Sequence, residues 1–165
     1  MKLLKLSTKK VNSREERQSK TDELTGLPNR LYFKETYGKD GLFQTMRYQS
    51  VAVFDVDDFT ESCQREEKDA VIKWLADLFQ QSLGEKCELF RWGDDCFVAL
   101  MEWSMEFAGE ICKELCEKVE KDGRVTISVG ITEVRLTDTI KRHYYRAMQG
   151  CYLVKEMGGN GVKRV

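Results

Sequence analysis

The sequence is poor in several residue types and patterns, and each scarcity excludes something. It has one histidine, His143, so no multi-histidine metal site can be built within one chain, and any serine–histidine–aspartate triad would rest on that residue alone. Lys and Arg together number 27 and Asp and Glu 28, for a net charge of −1. Bulk nucleic-acid binding needs a basic excess to displace phosphate counterions, and none is present. No run approaches the ~18 apolar residues of a membrane span. The apolar start, Leu3 to Leu6, falls short of a secretion-signal core of ~7–15 residues. The expectation is a cytoplasmic chain with no membrane segment and no nucleic-acid partner. Cys63, Cys87, Cys96, Cys112, Cys116 and Cys151 contain no C-x-x-C pair. Cys112 and Cys116 share a helix face, and the set reads as small buried apolar residues in a reducing compartment. The single proline is Pro28.

What is present suits one packed domain. The chain has 165 residues, 41% hydrophobic and 33% charged. Residues 1–20 are polar and charged with no apolar stripe, and are read as a leader or linker helix; residues 21–165 are read as the domain. Thr21 to Arg30 holds Gly26, Pro28 and Asn29, which is turn chemistry, and Asn29 is placed to cap a helix running to Tyr37 and ending at Gly38 or Gly41. Val51 to Phe54 reads as a buried strand ending in acids. Glu66 to Ser82 is a predicted helix with Val71, Trp74, Leu75, Leu78 and Phe79 on its inner face. Strands are predicted over Cys87–Arg91 and Cys96–Glu102, with Trp92-Gly-Asp-Asp95 as the hairpin between them. Ser104 is expected to cap a helix whose inner face carries Phe107, Ile111, Cys112, Leu115 and Val119. Val125–Ile131 reads as a strand, and Thr137–Met157 as a helix with Tyr144, Met148, Cys151 and Tyr152 inward and His143 on the surface. Val162–Val165 closes the chain as an edge strand. This order predicts an α+β fold of ferredoxin-like or polymerase-palm type: a βαββαβ core in two layers, with a mostly antiparallel sheet and helices on one face.

Two acidic clusters draw attention. Asp55, Asp57 and Asp58 end the first core strand, and Asp94 and Asp95 occupy the hairpin. In a palm-like sheet these strands are neighbours, and converging carboxylates repel unless a cation lies between them. Mg²⁺ binds through one or two carboxylates plus substrate phosphates, and such metals stabilise phosphoryl transfer. The residues alone therefore raise a Mg-nucleotide site using Asp55 and Asp95, against the alternative of solvated turns.

Asp22-Glu-Leu-Thr-Gly-Leu-Pro-Asn-Arg30 resembles the D-x-L-T-G-L-x-N-R block that opens GGDEF domains. Phe54-Asp-Val-Asp-Asp-Phe59 is similar to their F-D-[IV]-D-x-F, and Arg91-Trp-Gly-Asp-Asp-Cys-Phe97 lies where they carry R-[YF]-G-G-D-E-F. Thr126-Ile-Ser-Val-Gly130 resembles T-x-S-x-G, and Lys155 to Val162 resembles K-x-x-G-R-N-x-V. The blocks occur in the family's order over residues 20–165. The resemblance implies diguanylate cyclase chemistry: two GTP-loaded subunits, Mg²⁺ and cyclic di-GMP. It puts metal binding at Asp55, the Val56 carbonyl and Asp95, with Asp95 also the catalytic carboxylate. Guanine reading falls at Asp69 and phosphate binding at Lys155, while Arg91 is a candidate for stabilising phosphate charge.

The departures point the other way. The motif's second glycine is Asp94, which adds bulk and charge beside a triphosphate; two like charges ~4 Å apart cost about 4 kcal/mol at an effective dielectric of 20. Its glutamate is Cys96, and a neutral thiol is a poor ligand for Mg²⁺. The lysine after the acidic strand is Thr60. The following loop is shortened, and Cys63 to Lys68 lack the family's guanine-binding Asn and Gly-His. The closing arginine is Gly159. The R-x-x-D of product inhibition is absent, with Gly84-Glu-Lys-Cys87 in its place. The expectation is a degenerate GGDEF domain, not an efficient cyclase, acting as a nucleotide-sensing or protein-interaction module. The alternatives are an active cyclase, either a diguanylate cyclase or one of altered base choice, and a pure self-association module.

Overall fold

The structure, a computed structural model, describes residues 19–38, 47–59 and 65–165. Its centre is strand β1 (Ser50–Val56), in which every residue but Asp55 is buried. An apolar run covered on both faces is what a central strand requires. Four further strands, β2 (Cys87–Arg91), β3 (Cys96–Met101), β4 (Ile127–Glu133) and β5 (Gly161–Arg164), complete one sheet in the order β2-β3-β1-β4-β5. All pairings are antiparallel except β4 with β5. The mostly antiparallel palm-like core expected from the sequence is therefore present.

The helices are α1 (Arg30–Tyr37), α2 (Arg65–Leu83), α3 (Met105–Asp122) and α4 (Ile140–Glu156). They cover both faces of the sheet, not one. Ala52, Phe54 and Val56 pack with Leu75 and Phe79 of α2 and Leu115 and Val119 of α3. Val51 and Val53 point the other way, toward Phe33 of α1 and Ile140 and Ala147 of α4. A strand apolar at every position exposes greasy surface on one side unless both sides are covered, and α4 supplies the second cover. The leader expected over 1–20 lies, apart from its last two residues, outside the described residues, as do Gly41, Thr60 and Cys63.

Two helix faces differ from expectation. In α3 the buried stripe is Ala108, Cys112, Leu115, Cys116 and Val119, while Phe107 is 52% exposed and meets Trp103 edge to face. Ser104 caps the helix through its side chain and starts it at Met105, which turns Ala108 rather than Phe107 inward. In α4 the buried residues include Ala147, Gly150, Cys151 and Val154, while Tyr152 is 60% exposed. The small residues allow a close approach. A Cβ on Gly130 of β4 would overlap the Ala147 carbonyl and the Cys151 amide, and one on Gly150 would press on the Gly130 Cα. Strand β4 also begins at Ile127, leaving Thr126 free for a side-chain contact described below.

His143 is fully buried rather than on the surface. Its Nε2 accepts the Arg135 amide at 2.8 Å, and its Nδ1 lies 2.8 Å from the Thr139 carbonyl, which fixes Nδ1 as the protonated nitrogen. The ring thus fastens the loop after β4 to the first turn of α4. Burial pushes its pKa down, with the Thr139 carbonyl and Asp138 opposing and Arg146 adding to the fall. Cys96, Cys112, Cys116 and Cys151 are buried free thiols and Cys87 is half-buried, as expected for small core residues.

Gly130→Ala is expected to cost about 1–3 kcal/mol, because the obstructing atoms are backbone and cannot rotate away; urea unfolding midpoints measure it. A histidine with a depressed folded pKa lets the unfolded chain bind more protons. Stability is therefore retained above its unfolded value of 6.5 and lost as pH falls below it. Urea unfolding at pH 7.5 and 5.5 should show that loss, and His143→Gln should flatten the pH dependence across this window.

Candidate functional site

The opening motif is a self-bracing turn. Asp22 Oδ1 accepts the Thr25 amide at 2.9 Å and the Thr25 hydroxyl at 2.7 Å, and Gly26 supplies the positive φ of +72° that the reversal needs. Asn29 caps α1 by accepting the amides of Leu31 and Tyr32, while its own amide donates to the Ser19 carbonyl at 2.7 Å. The Arg91 amide donates to the Pro28 carbonyl at 2.9 Å, docking this turn against the end of β2.

The hairpin follows directly. The amides of Trp92 and Gly93 both donate to the Cys96 carbonyl, at 2.9 and 3.2 Å. The Val56 amide donates to the Asp95 carbonyl at 3.0 Å, which ties the hairpin to the end of β1 and brings Asp95 beside Asp55. Arg91 is 8% exposed, its guanidinium lies 4.9 Å over the Phe97 ring, and Nη2 donates to the Asp94 carbonyl. Its Nη1 is buried with no hydrogen-bond partner among the described residues. Burial pulls the Arg91 pKa down, and Asp22, Asp94 and Asp95 oppose that.

A cavity of about 840 Å³ opens between this turn, the hairpin and the start of α2. Asp69, Arg91, Asp94 and Asp95 line it together, with Arg65 and Lys68 adding positive charge. Asp22, Arg65 and Lys68 are wall residues that the sequence reading did not single out. The turn chemistry of Asp22 with Thr25 was the available signal for the first; the other two depend on where α2 begins.

Asp55, Val56, Lys155 and Gly159 do not line that cavity. Asp55 faces α4, where Lys155 Nζ pairs with its Oδ1 and also donates to the Val56 carbonyl at 3.3 Å. Burial raises the Asp55 pKa, with Asp95 and Asp57 adding to the rise and Lys155 opposing it. Burial alone would lower the Lys155 pKa, but the Asp55 carboxylate beside it prevails and holds it above the ordinary value. Asp57, read as part of an acidic cluster, is a structural clasp: it accepts the hydroxyls of Thr126 at 2.8 Å and Ser128 at 2.6 Å and the Asn160 amide at 2.8 Å. Gly159 has φ of +77°, and a Cβ there would lie 2.8 Å from Asp57 Oδ2.

Cys96 stands opposite Asp55 in the β1–β3 ladder and is buried in the core shared with α1 and α4. Burial is the main cause that raises its pKa, so the group is a neutral thiol. Among the described residues no cluster of three or more His, Cys, Asp or Glu is arranged to hold a metal ion. Of the three groups assigned to Mg²⁺, Asp55 (through Oδ1) and the Val56 carbonyl are engaged by the Lys155 ammonium, and Asp95 is not. A magnesium ion held by both groups would have to displace that ammonium.

The fold has counterparts. The chain is 27% identical over 157 residues to the diguanylate cyclase DgcS of Shewanella oneidensis, covering 88% of the chain and 53% of that protein. It thus spans about half the length of this relative. The diguanylate cyclase SiaD of Pseudomonas aeruginosa, solved in complex with its activator SiaC, superposes with a TM-score of 0.77 at 26% identity, over 91% of this chain and 63% of that one. The GGDEF domain of DgcB from Caulobacter crescentus, solved with c-di-GMP, gives 0.76 at 21% identity, over 90% and 96%. No helix among the described residues is long and apolar enough to cross a membrane. The model of the diguanylate cyclase GGDEF domain family matches residues 19–161, and the chain belongs to that family.

Proposed function

We propose that this is a degenerate GGDEF domain that does not cyclise GTP efficiently and serves cyclic di-GMP signalling in the cytoplasm as a nucleotide-sensing or protein-interaction module. The observation that carries this reading is the pairing at the end of β1. The ladder partner of Asp55 is a buried neutral thiol, and the Lys155 ammonium engages Asp55 Oδ1 and the Val56 carbonyl together. Asp94 adds a second obstacle at the mouth of the cavity, where a glycine would leave the hairpin backbone open to a phosphate.

What remains favours binding over turnover. Arg91 presents a buried, unpartnered Nη1 in the wall of a cavity that also holds Arg65 and Lys68, and an anion there would satisfy it. Asp69 in the same wall can accept hydrogen bonds from a base edge. SiaD with its activator SiaC shows a relative engaging a protein partner, which supports an interaction role beside the nucleotide one. A second reading, a weak cyclase, draws on the tie between Val56 and Asp95 that brings two carboxylate residues to one edge.

Incubating the purified domain with GTP and Mg²⁺ and assaying by mass spectrometry is expected to yield no cyclic di-GMP. Robust turnover that Asp55→Ala abolishes would establish the weak-cyclase reading instead. Calorimetric titration with GTP should show binding that Asp69→Ala weakens by about tenfold, or ~1.4 kcal/mol. An absence of GTP binding would leave only the protein-interaction role.

A further inference from the structure

We propose a second ligand site, separate from the large cavity, that takes a purine nucleoside monophosphate between α1, Trp92 and the start of α4. A cavity of about 460 Å³ lies there, within the ~300–1,000 Å³ range of small-ligand pockets. Its wall is aromatic. The rings of Trp92 and Tyr144 have centroids 4.7 Å apart and lie 32° from parallel, and Phe33 meets Trp92 edge-on at 4.9 Å from beneath. Tyr145 continues the surface, with its ring centroid 5.5 Å from that of Tyr144. Tyr145 is 54% exposed, so a planar ring can reach it, while Trp92 and Tyr144 stack on each other and form the wall beside it.

The charge at this cavity is of one sign. Arg30, Lys34 and Lys141 line it, and no carboxylate among the described residues does. None of the three forms an ion pair with an acid among the described residues. Arg30 instead lies 5.2 Å over the Trp92 ring and Lys141 5.8 Å over the Tyr145 ring. Three uncompensated cations around one concavity repel one another, and an anion between them relieves that. An aromatic wall that can stack a base, rimmed by point charges that can hold a phosphate, is the donor set a mononucleotide requires.

The place is distinct from the sites considered so far. It shares Arg30 and Trp92 with the large cavity but none of Asp69, Asp94 or Asp95. It sits past the end of β2, whereas Gly84 to Cys87 precede and begin that strand. Because Trp92 and Arg30 form a wall common to both cavities, an occupant of the smaller one presses on the hairpin that borders the larger. The site does not depend on the GTP-binding role proposed above.

The test is titration of the full chain with GMP, in wild type and in an Asp69→Ala background that weakens the large cavity. Calorimetry and quenching of tryptophan fluorescence provide the readouts. The expected result is saturable GMP binding, the same within about twofold in Asp69→Ala and weakened by at least about tenfold in Lys34→Glu/Lys141→Glu. Both lysines are exposed, so the double variant is expected to fold, and its thermal unfolding checks that. Inorganic phosphate alone should bind more weakly than GMP and leave the fluorescence unchanged. Absence of GMP binding at millimolar concentration, binding indifferent to the lysine reversals, or phosphate binding as tightly as GMP would each overturn the proposal.

Discussion

The register of β1 between its two antiparallel neighbours governs the rest of this molecule. Asp55 stands opposite Cys96 on one side and Ser128 on the other, and Val53 opposite Val98 and Gly130. Side chains alternate along a strand, so a slip of one residue would turn Val51 and Val53 onto the α2–α3 side and send Phe54 toward α4. Neither helix layer could accept that exchange, because α4 has small residues where α2 has Phe79. The packing on both faces therefore locks the register, and the register determines which groups meet at the carboxyl end of β1.

The close approach of α4 to β4 is the second link. Gly130 and Gly150 let the helix backbone lie almost on the strand, which aims the final turn of α4 at the end of β1. Lys155 is in that turn, and its ammonium reaches Asp55 and the Val56 carbonyl together. A cation in the last turn of a helix also opposes the negative end of the helix dipole, so the position suits lysine twice over. Immediately beyond, Gly158 and Gly159 turn the chain at positive φ into β5, and Asn160 donates its amide to Asp57. The small-residue stripe of α4 is thus the reason a charge remote in sequence arrives beside Asp55.

How much of this the sequence disclosed depends on the range of the signal. The hairpin and the Asn29 cap were legible because turn chemistry is local: Gly and Asp tolerate positive φ, and an Asn side chain reaches the amides just after it. The strand order followed from the succession of elements and the family blocks. The covering of both faces was implicit in the unbroken apolar run of β1, yet alternation was not the pattern there, and that run does not say which helix covers which side. His143 was misplaced because Lys141 and Arg142 beside it read as a charged face, and Phe107 and Tyr152 for another reason. A helix stripe read from large apolar residues ignores Ala108, Ala147 and Gly150, and here close packing put the small residues inside. The partition of the site was least visible. Asp55 and Lys155 pair across the sheet while Asp69 and Arg91 line a cavity elsewhere, and sequence spacing carries no record of which face a strand-end carboxylate takes.

That partition gives the electrostatics their shape. A divalent ion between Asp55 and the Val56 carbonyl would leave surplus positive charge to draw in a phosphate. A single ammonium neutralises one carboxylate and leaves none, and at the end of β1 Lys155 pairs with Asp55, whose pKa is raised by burial and by Asp95 and Asp57 close by. On the other side of the hairpin stand positive groups without acid partners among the described residues: Arg91 Nη1, which is buried, and Arg30, Lys34 and Lys141. All of them flank or adjoin Trp92. On the proposed reading, Lys155 takes the place of a cation at Asp55, and open anion-binding capacity is left around an indole. On that reading a bound nucleotide is registered through the hairpin carrying Trp92, because this residue borders both cavities.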